Sequence, residues 1–179
     1  MKKMIQAFDY AGEICKAMSK GILMTTKVGD KVNTMTIGWG KIGIEWGRPI
    51  FIAYVRESRY TKQMLEENGE FTVNIPMGEY DSKILGYCGT KSRRDTDKIS
   101  DLGLTLEEPV NISVPGIMEL PLTLECKVIY KQKQDLAAIP DEILKRYYPE
   151  AEENCFAGEK RDFHYAYYGE IVGAYIITE

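Results

Sequence analysis

Asn33-Thr34-Met35-Thr36-Ile37-Gly38-Trp39-Gly40 is the stretch on which the fold turns. It continues a β-rich run that begins at Val32 and is preceded by Gly29-Asp30-Lys31 and by Gly21-Ile22-Leu23-Met24-Thr25-Thr26-Lys27-Val28. Two β-rich runs around a Gly-Asp turn predict a hairpin over residues 21–37. The second strand then runs into a tryptophan held between glycines. Glycines at a strand end let the backbone come close to a flat ligand, and free amides there hydrogen-bond a heteroaromatic edge. A bulged strand leading to a core tryptophan fits the same residues, so the stretch alone leaves both readings open.

Working outward, a Gly/Trp-rich segment spans residues 38–47, and residues 49–55 read as a buried strand. A short helix is predicted over 62–68, with Ser58 or Thr61 as its cap and Gly69 as its end. Residues 70–76 alternate and stop at Pro76, which predicts a strand. Helices follow at 81–87 and at 97–102, the latter closed by Gly103. Residues 120–130 read as a long strand, 140–148 as a helix with proline in its first turn, and 167–178 as a final apolar strand. About seven strands with short helices between them predict a mainly β chain with helical inserts, an antiparallel barrel or sandwich. They do not interleave with long helices, which argues against a doubly wound parallel sheet. No GxGxxG follows a strand and no GxxxxGK[ST] occurs, so the usual dinucleotide and P-loop readings fail.

The chain has 179 residues, with 44% hydrophobic and 28% charged. This predicts one globular domain over residues 1–179 with a sizeable core. The net charge of -4 argues against a nucleic-acid partner, which selects basic stripes. The single histidine, His164, leaves no multi-histidine metal site within one chain. Cys15, Cys88, Cys126 and Cys155 form no CxxC pair and read as buried, reduced thiols. Asp9, Glu13 and Lys16 follow the start too closely for a signal peptide, and the longest apolar run, residues 50–55, is far short of a membrane span. A cytoplasmic protein without membrane contact is expected.

Three further segments can carry chemistry. Arg56-Glu57-Ser58-Arg59-Tyr60-Thr61 lies between a buried strand and a helix start, where unpaired N–H groups suit a phosphate. A plain N-cap with surface charges is the competing reading. Cys88-Gly89-Thr90-Lys91-Ser92-Arg93-Arg94-Asp95-Thr96-Asp97-Lys98 is the one dense basic patch in an acidic chain, either a second arm of an anion site or a solvated loop. In Phe163-His164-Tyr165-Ala166-Tyr167, the histidine is the only side chain whose unperturbed pKa lies near neutrality, although a packed, hydrogen-bonded role fits it as well.

Taken together and in order, these segments resemble the flavin reductase-like family, whose fold is the FMN-binding split barrel, and most closely its flavoredoxin-type branch. The motifs that carry the resemblance are Asn33 to Gly40, Ser58-Arg59-Tyr60-Thr61, Glu70-Phe71-Thr72-Val73-Asn74, Cys88 to Ser92 with Asp95 to Lys98, and His164 with Gly169-Glu170-Ile171-Val172. They cover residues 15–178. The resemblance implies an antiparallel split β-barrel that forms a homodimer, binds FMN, takes electrons from NADH or NADPH, and passes them to an acceptor or a redox partner protein. An electron carrier with tightly bound FMN and no nicotinamide activity is the alternative. By position, Thr34, Met35, Thr36 and Ile37 face the isoalloxazine ring with Asn33 beside them, and Trp39 walls it. Ser58, Arg59 and Thr61 hold the phosphate. Lys91, Ser92 and Lys98 close over the ribityl-phosphate tail, with Cys88 nearby. Asn74 lines the pocket from the next strand, and His164 is a possible nicotinamide contact. Where the family usually has Ser-Gly-Arg-Asp, this chain has Arg93 at the glycine position.

Overall fold

The computed structural model describes residues 1–150 and 161–178. Cys155 lies outside them. The predicted hairpin forms from β2 (Ile22–Val28) and β3 (Lys31–Ile37), paired antiparallel from Ile22 opposite Ile37 to Val28 opposite Lys31. The Gly/Trp-rich segment, read from sequence without a strand, contains β4 (Gly40–Glu45). It returns through Trp46 and Gly47 into β5 (Arg48–Arg56). Both turn residues have positive φ, 52° and 70°, as a two-residue primed turn requires.

The sheet is completed by β1 (Lys2–Met4), β6 (Glu70–Ile75), β9 (Leu122–Lys133) and β10 (His164–Ile177). Its order is β3-β2-β6-β9-β10-β5-β4, with β1 on β10, and every pairing is antiparallel. Side chains of β2, β3, β6, β9, β10 and β5 all enter one core. Met24, Met35, Phe71, Leu124, Tyr167 and Phe51 represent the six strands there. A sheet whose strands all feed one core must curl round it, which is the geometry of a split barrel.

The curl needs a glycine at one point. A Cβ on Gly169 would lie 2.5 Å from Phe71 Cζ and 2.8 Å from Cys126 Cβ, and the β9–β10 register shifts beside it. A bulge at a glycine is how a strand bends while a neighbour's side chain crosses under it.

The helical inserts are α1 (Ala11–Met18), which sequence reading missed, α2 (Tyr60–Glu67), α3 (Lys83–Thr90), α4 (Lys98–Leu102) and α5 (Asp141–Tyr147). A small hairpin of β7 (Leu106–Glu107) and β8 (Gly116–Ile117) stands apart from the main sheet. A second apolar cluster, with Leu23, Ile84, Leu85, Cys88 and Ile117, fastens α3 to the outer face of β2. Two capping expectations change. Arg59, not Ser58 or Thr61, is the residue before α2, and no side chain caps the helix. Asn68 ends it, with its amide donated to Lys27 O at 2.8 Å. Cys88 and Cys126 are buried and free as expected, whereas Cys15 is exposed because it sits on the outer face of α1.

Among the described residues, no helix is long and apolar enough to cross a membrane, and no group of three or more His, Cys, Asp or Glu is placed to hold a metal.

Candidate functional site

The end of β3, the start of α2 and the segment joining α3 to α4 converge on one side of the barrel. They enclose a hollow of about 120 Å³. Asn33, Met35 and Thr36 come from β3, Ser58 to Thr61 from the start of α2, and Cys88, Gly89, Lys91 to Arg94 and Lys98 from α3 and α4. A second hollow of about 180 Å³ continues along the same strand. Its walls are Met35 to Trp39, Tyr54, Arg56, Arg59 and His164. The two share Met35, Thr36 and Arg59, so they are the two ends of one groove across the β3 terminus. Together they reach the lower end of the roughly 300–1,000 Å³ range of small-molecule sites.

The first end is strongly cationic. Arg59, Lys91, Arg93, Arg94 and Lys98 all line it. Lys98 is 3% exposed, and its ammonium donates to Lys91 O at 3.2 Å. Burial, together with the Arg59 and Arg93 guanidinium groups, pushes its pKa down to about 8. A buried ammonium beside other cations is costly unless an anion compensates it. Arg93 does not adopt positive φ; among the described non-glycine residues Trp46 alone does. The loop therefore accommodates an arginine where the family uses glycine, and Arg93 adds a cation to the hollow while pairing with Asp97 at 3.2 Å.

The groove also holds unmet hydrogen-bonding capacity. Asn33 is 2% exposed and donates to Thr61 Oγ1 at 2.9 Å, yet its Oδ1 has no partner. The amides of Tyr60 and Thr61 at the start of α2 receive no side-chain cap, whereas that of Lys62 donates to Arg59 O at 3.0 Å. A carboxamide oxygen and free amides in one hollow match a ligand with both hydroxyl donors and anionic acceptors. A ribityl phosphate has both, so the residues present fit FMN.

The second end is aromatic. Trp39 stands 4.9 Å from the His164 ring and 5.2 Å from Tyr147, centroid to centroid. His164 is buried, and burial plus the Arg56 guanidinium lowers its pKa to about 4, so the ring is neutral at physiological pH. Its Nδ1 lies 2.7 Å from Tyr148 Oη. Cys88 Sγ, also buried, is pushed up to about 11 and stays a thiol.

Three positions depart from the expected placement. Thr34 and Asn74 do not line the groove. Thr34 Oγ1 receives the Thr25 hydroxyl at 3.0 Å, and Asn74, fully buried, donates to Thr123 Oγ1 at 3.0 Å. Both belong to a polar network inside the sheet: Thr34 pairs across the ladder with Thr25, and Asn74 lies on β6, separated by β2 from the strand that edges the groove. Ser58 does line it, but its hydroxyl donates to Asp162 Oδ2 at 2.6 Å and its amide to Asp162 Oδ1 at 3.0 Å. Ile37, Trp39 and His164 gather at the aromatic end, Asn33, Ser58, Thr61, Cys88, Lys91, Ser92 and Lys98 at the cationic end, and Met35, Thr36 and Arg59 line both.

Sequence reading missed Arg56, Tyr54, Asp162 and Tyr148. Pairing β5 against β10 places His164 opposite Arg56, which brings residue 162 beside Ser58. The strand pairing was the signal that could have found Asp162.

Similarity to known proteins agrees with this architecture. The flavoredoxin of Desulfovibrio vulgaris (Miyazaki F) superposes with a TM-score of 0.64 at 23% identity, covering 88% of this chain and 69% of that one. Flavoredoxin from Methanosarcina acetivorans gives 0.60 at 26% identity, covering 88% and 68%. A protein of Archaeoglobus fulgidus, itself uncharacterized, is 34% identical over 100 residues, 56% of this chain and 55% of that relative's length. The model of the flavin reductase like domain matches residues 17–178. With nearly the whole chain inside that match and a split barrel under it, the protein belongs to the flavin reductase-like family.

Proposed function

We propose that this chain is an FMN-binding oxidoreductase that takes electrons from NADH or NADPH and delivers them to an acceptor. The observation that carries the reading is the groove itself: a cluster of cations gathered round the buried Lys98 at one end and an aromatic wall at the other, joined through Met35, Thr36 and Arg59. Arg59, Lys91, Ser92, Lys98 and the amides of Tyr60 and Thr61 receive the phosphate. Asn33 Oδ1 accepts a hydroxyl of the ribityl chain. The end of β3 lies against the ring, with Trp39 as its side wall. Arg56 and Arg59 keep positive potential at the ring end, where negative charge grows on reduction. Bound FMN supplies the hydride- and electron-transfer chemistry, so the chain needs no acid–base pair of its own.

The similarity to flavoredoxins supports a second reading, an electron carrier that receives its electrons from a partner protein. Anaerobic spectra separate the two. Bleaching of the flavin bands by NADH or NADPH alone supports the reductase. A flavin-loaded protein that neither nucleotide bleaches is the carrier, and a protein that takes up no flavin contradicts both.

We further read the protein as a homodimer, since Ile44, Trp46 and Tyr130 expose large apolar area on one sheet end. Light scattering at twice 20.4 kDa is expected. Free buried Cys88 and Cys126 suit a reducing cytoplasm.

A further inference from the structure

Gln134, at the end of β9, and Tyr148, just past α5, are not assigned to any ligand, yet both bear on the one histidine. The backbone N–H of His164 donates to Gln134 Oε1 at 3.2 Å. A backbone N–H is always a donor, so this contact fixes which end of the Gln134 amide is oxygen. The Tyr148 hydroxyl donates to the same Oε1 at 2.8 Å. Tyr148 has one proton, and it is spent there. The Tyr148 oxygen therefore meets His164 Nδ1, 2.7 Å away, with a lone pair, and Nδ1 must carry the hydrogen. In a neutral imidazole the other nitrogen is then bare.

Burial and the Arg56 and Arg59 cations keep the ring neutral, opposed by Asp162; the other titratable groups against it are Tyr54 and Tyr148. No second hydrogen-bond partner of the ring occurs among the described residues, and His164 lines the aromatic end of the groove.

We infer that Gln134 and Tyr148 are positioning residues that fix the tautomer of His164, so that Nε2 presents a bare lone pair to the aromatic end of the groove and receives an N–H or O–H donor of the bound ligand. The inference rests on the reading of this groove as the ligand site only for its use; the tautomer itself is a property of the chain alone. Gln134 acts through Tyr148, and Tyr148 through Nδ1, without either touching the ligand.

The test is nitrogen-15 NMR of the imidazole. The chain has a single histidine, so the two ring resonances need no assignment by mutation. The wild type is expected to show a protonated, pyrrole-type Nδ1 and a pyridine-type Nε2. Gln134→Leu frees the Tyr148 hydroxyl to donate to Nδ1, which moves the ring proton to Nε2. Gln134→Glu keeps an acceptor oxygen and restores the wild-type pattern. Where Gln134→Leu fails to fold, Tyr148→Phe serves, and its Nδ1 loses the enforced proton. A pyridine-type Nδ1 in the wild type, or an unchanged pattern in the variant that folds, overturns the inference. Phenol added to the FMN-loaded chain should shift the Nε2 resonance, and anisole, which lacks the hydroxyl, should not. Equal shifts from both, or none from phenol, overturn the acceptor role. All these outcomes are independent of flavin uptake except the last, and flavin uptake is read separately by absorbance.

Discussion

Replacing Lys98 with methionine should make the flavin-free protein more stable and the flavin-bound protein weaker. The reason is the position of its ammonium, 3% exposed, hydrogen-bonded to Lys91 O and surrounded by Arg59 and Arg93. Its pKa falls from 10.5 to about 8. Each pKa unit is worth about 1.36 kcal/mol, so the charged form costs the fold on the order of 3 kcal/mol at neutral pH. Methionine fills similar volume without charge. Some of the gain is lost with the Lys91 hydrogen bond, which leaves about 1–2 kcal/mol, or a rise of roughly 2–8 °C in Tm for a chain of this size.

The pH dependence has a definite sign. Lys98 binds its proton less tightly in the folded state, so its contribution to stability is fully present above 10.5 and is lost as pH falls to about 8. Cys88, with its folded pKa raised to about 11, runs the other way, its contribution being lost as pH rises from about 9. Subtracting the Lys98→Met stability curve from that of the wild type removes most of the Cys88 contribution below the folded pKa of that thiol, although Lys98 itself holds the thiol lower than burial alone would. The difference should climb between pH 8 and 10.5. Denaturant unfolding of the flavin-free proteins at a series of pH values measures it. A variant less stable than wild type at pH 7, or a flat difference curve, refutes the reasoning about the buried charge.

Gly169→Ala should cost at least about 1–3 kcal/mol, since its Cβ would lie 2.5 Å from Phe71 Cζ; thermal unfolding checks this, and an unchanged Tm contradicts the close approach. Alkylation at pH 8 should modify exposed Cys15 and spare Cys88 and Cys126, whose thiols burial holds in the neutral form, as peptide mapping can show.

The parts of the fold legible in the sequence were those with a local signature. Alternation and β-branching marked β2, β3, β5, β6 and β9, and the Gly-Asp turn set the first hairpin register. β4 escaped because Gly40 and Gly43 give it little β propensity; it exists through its ladder to β5. α1 escaped because its two inward residues, Ile14 and Met18, make a short apolar stripe that only the barrel end below them completes.

The site was legible as a set of segments, and less so residue by residue. Ser58 offered a hydroxyl next to a helix start, but Asp162, 104 positions away, takes it. Asn74 and Thr34 carried the right chemistry, but Thr123 and Thr25 on neighbouring strands engage it inside the sheet. The tautomer of His164 depends on Gln134 and Tyr148, which only the meeting of β9, α5 and β10 brings together.

The central claim is that the cationic end of the groove anchors the phosphate of FMN. Titrating wild type and Arg59→Ala with both FMN and riboflavin tests it most directly. Arg59 lines both halves of the groove and stands immediately before α2. A charge-assisted hydrogen bond is worth roughly 1.5–3 kcal/mol, so FMN affinity should fall about 10- to 150-fold. Riboflavin, which has no phosphate and meets Arg59 only at the ring end, should lose much less affinity than FMN. An equal loss for both ligands, or no loss for FMN, would contradict the account.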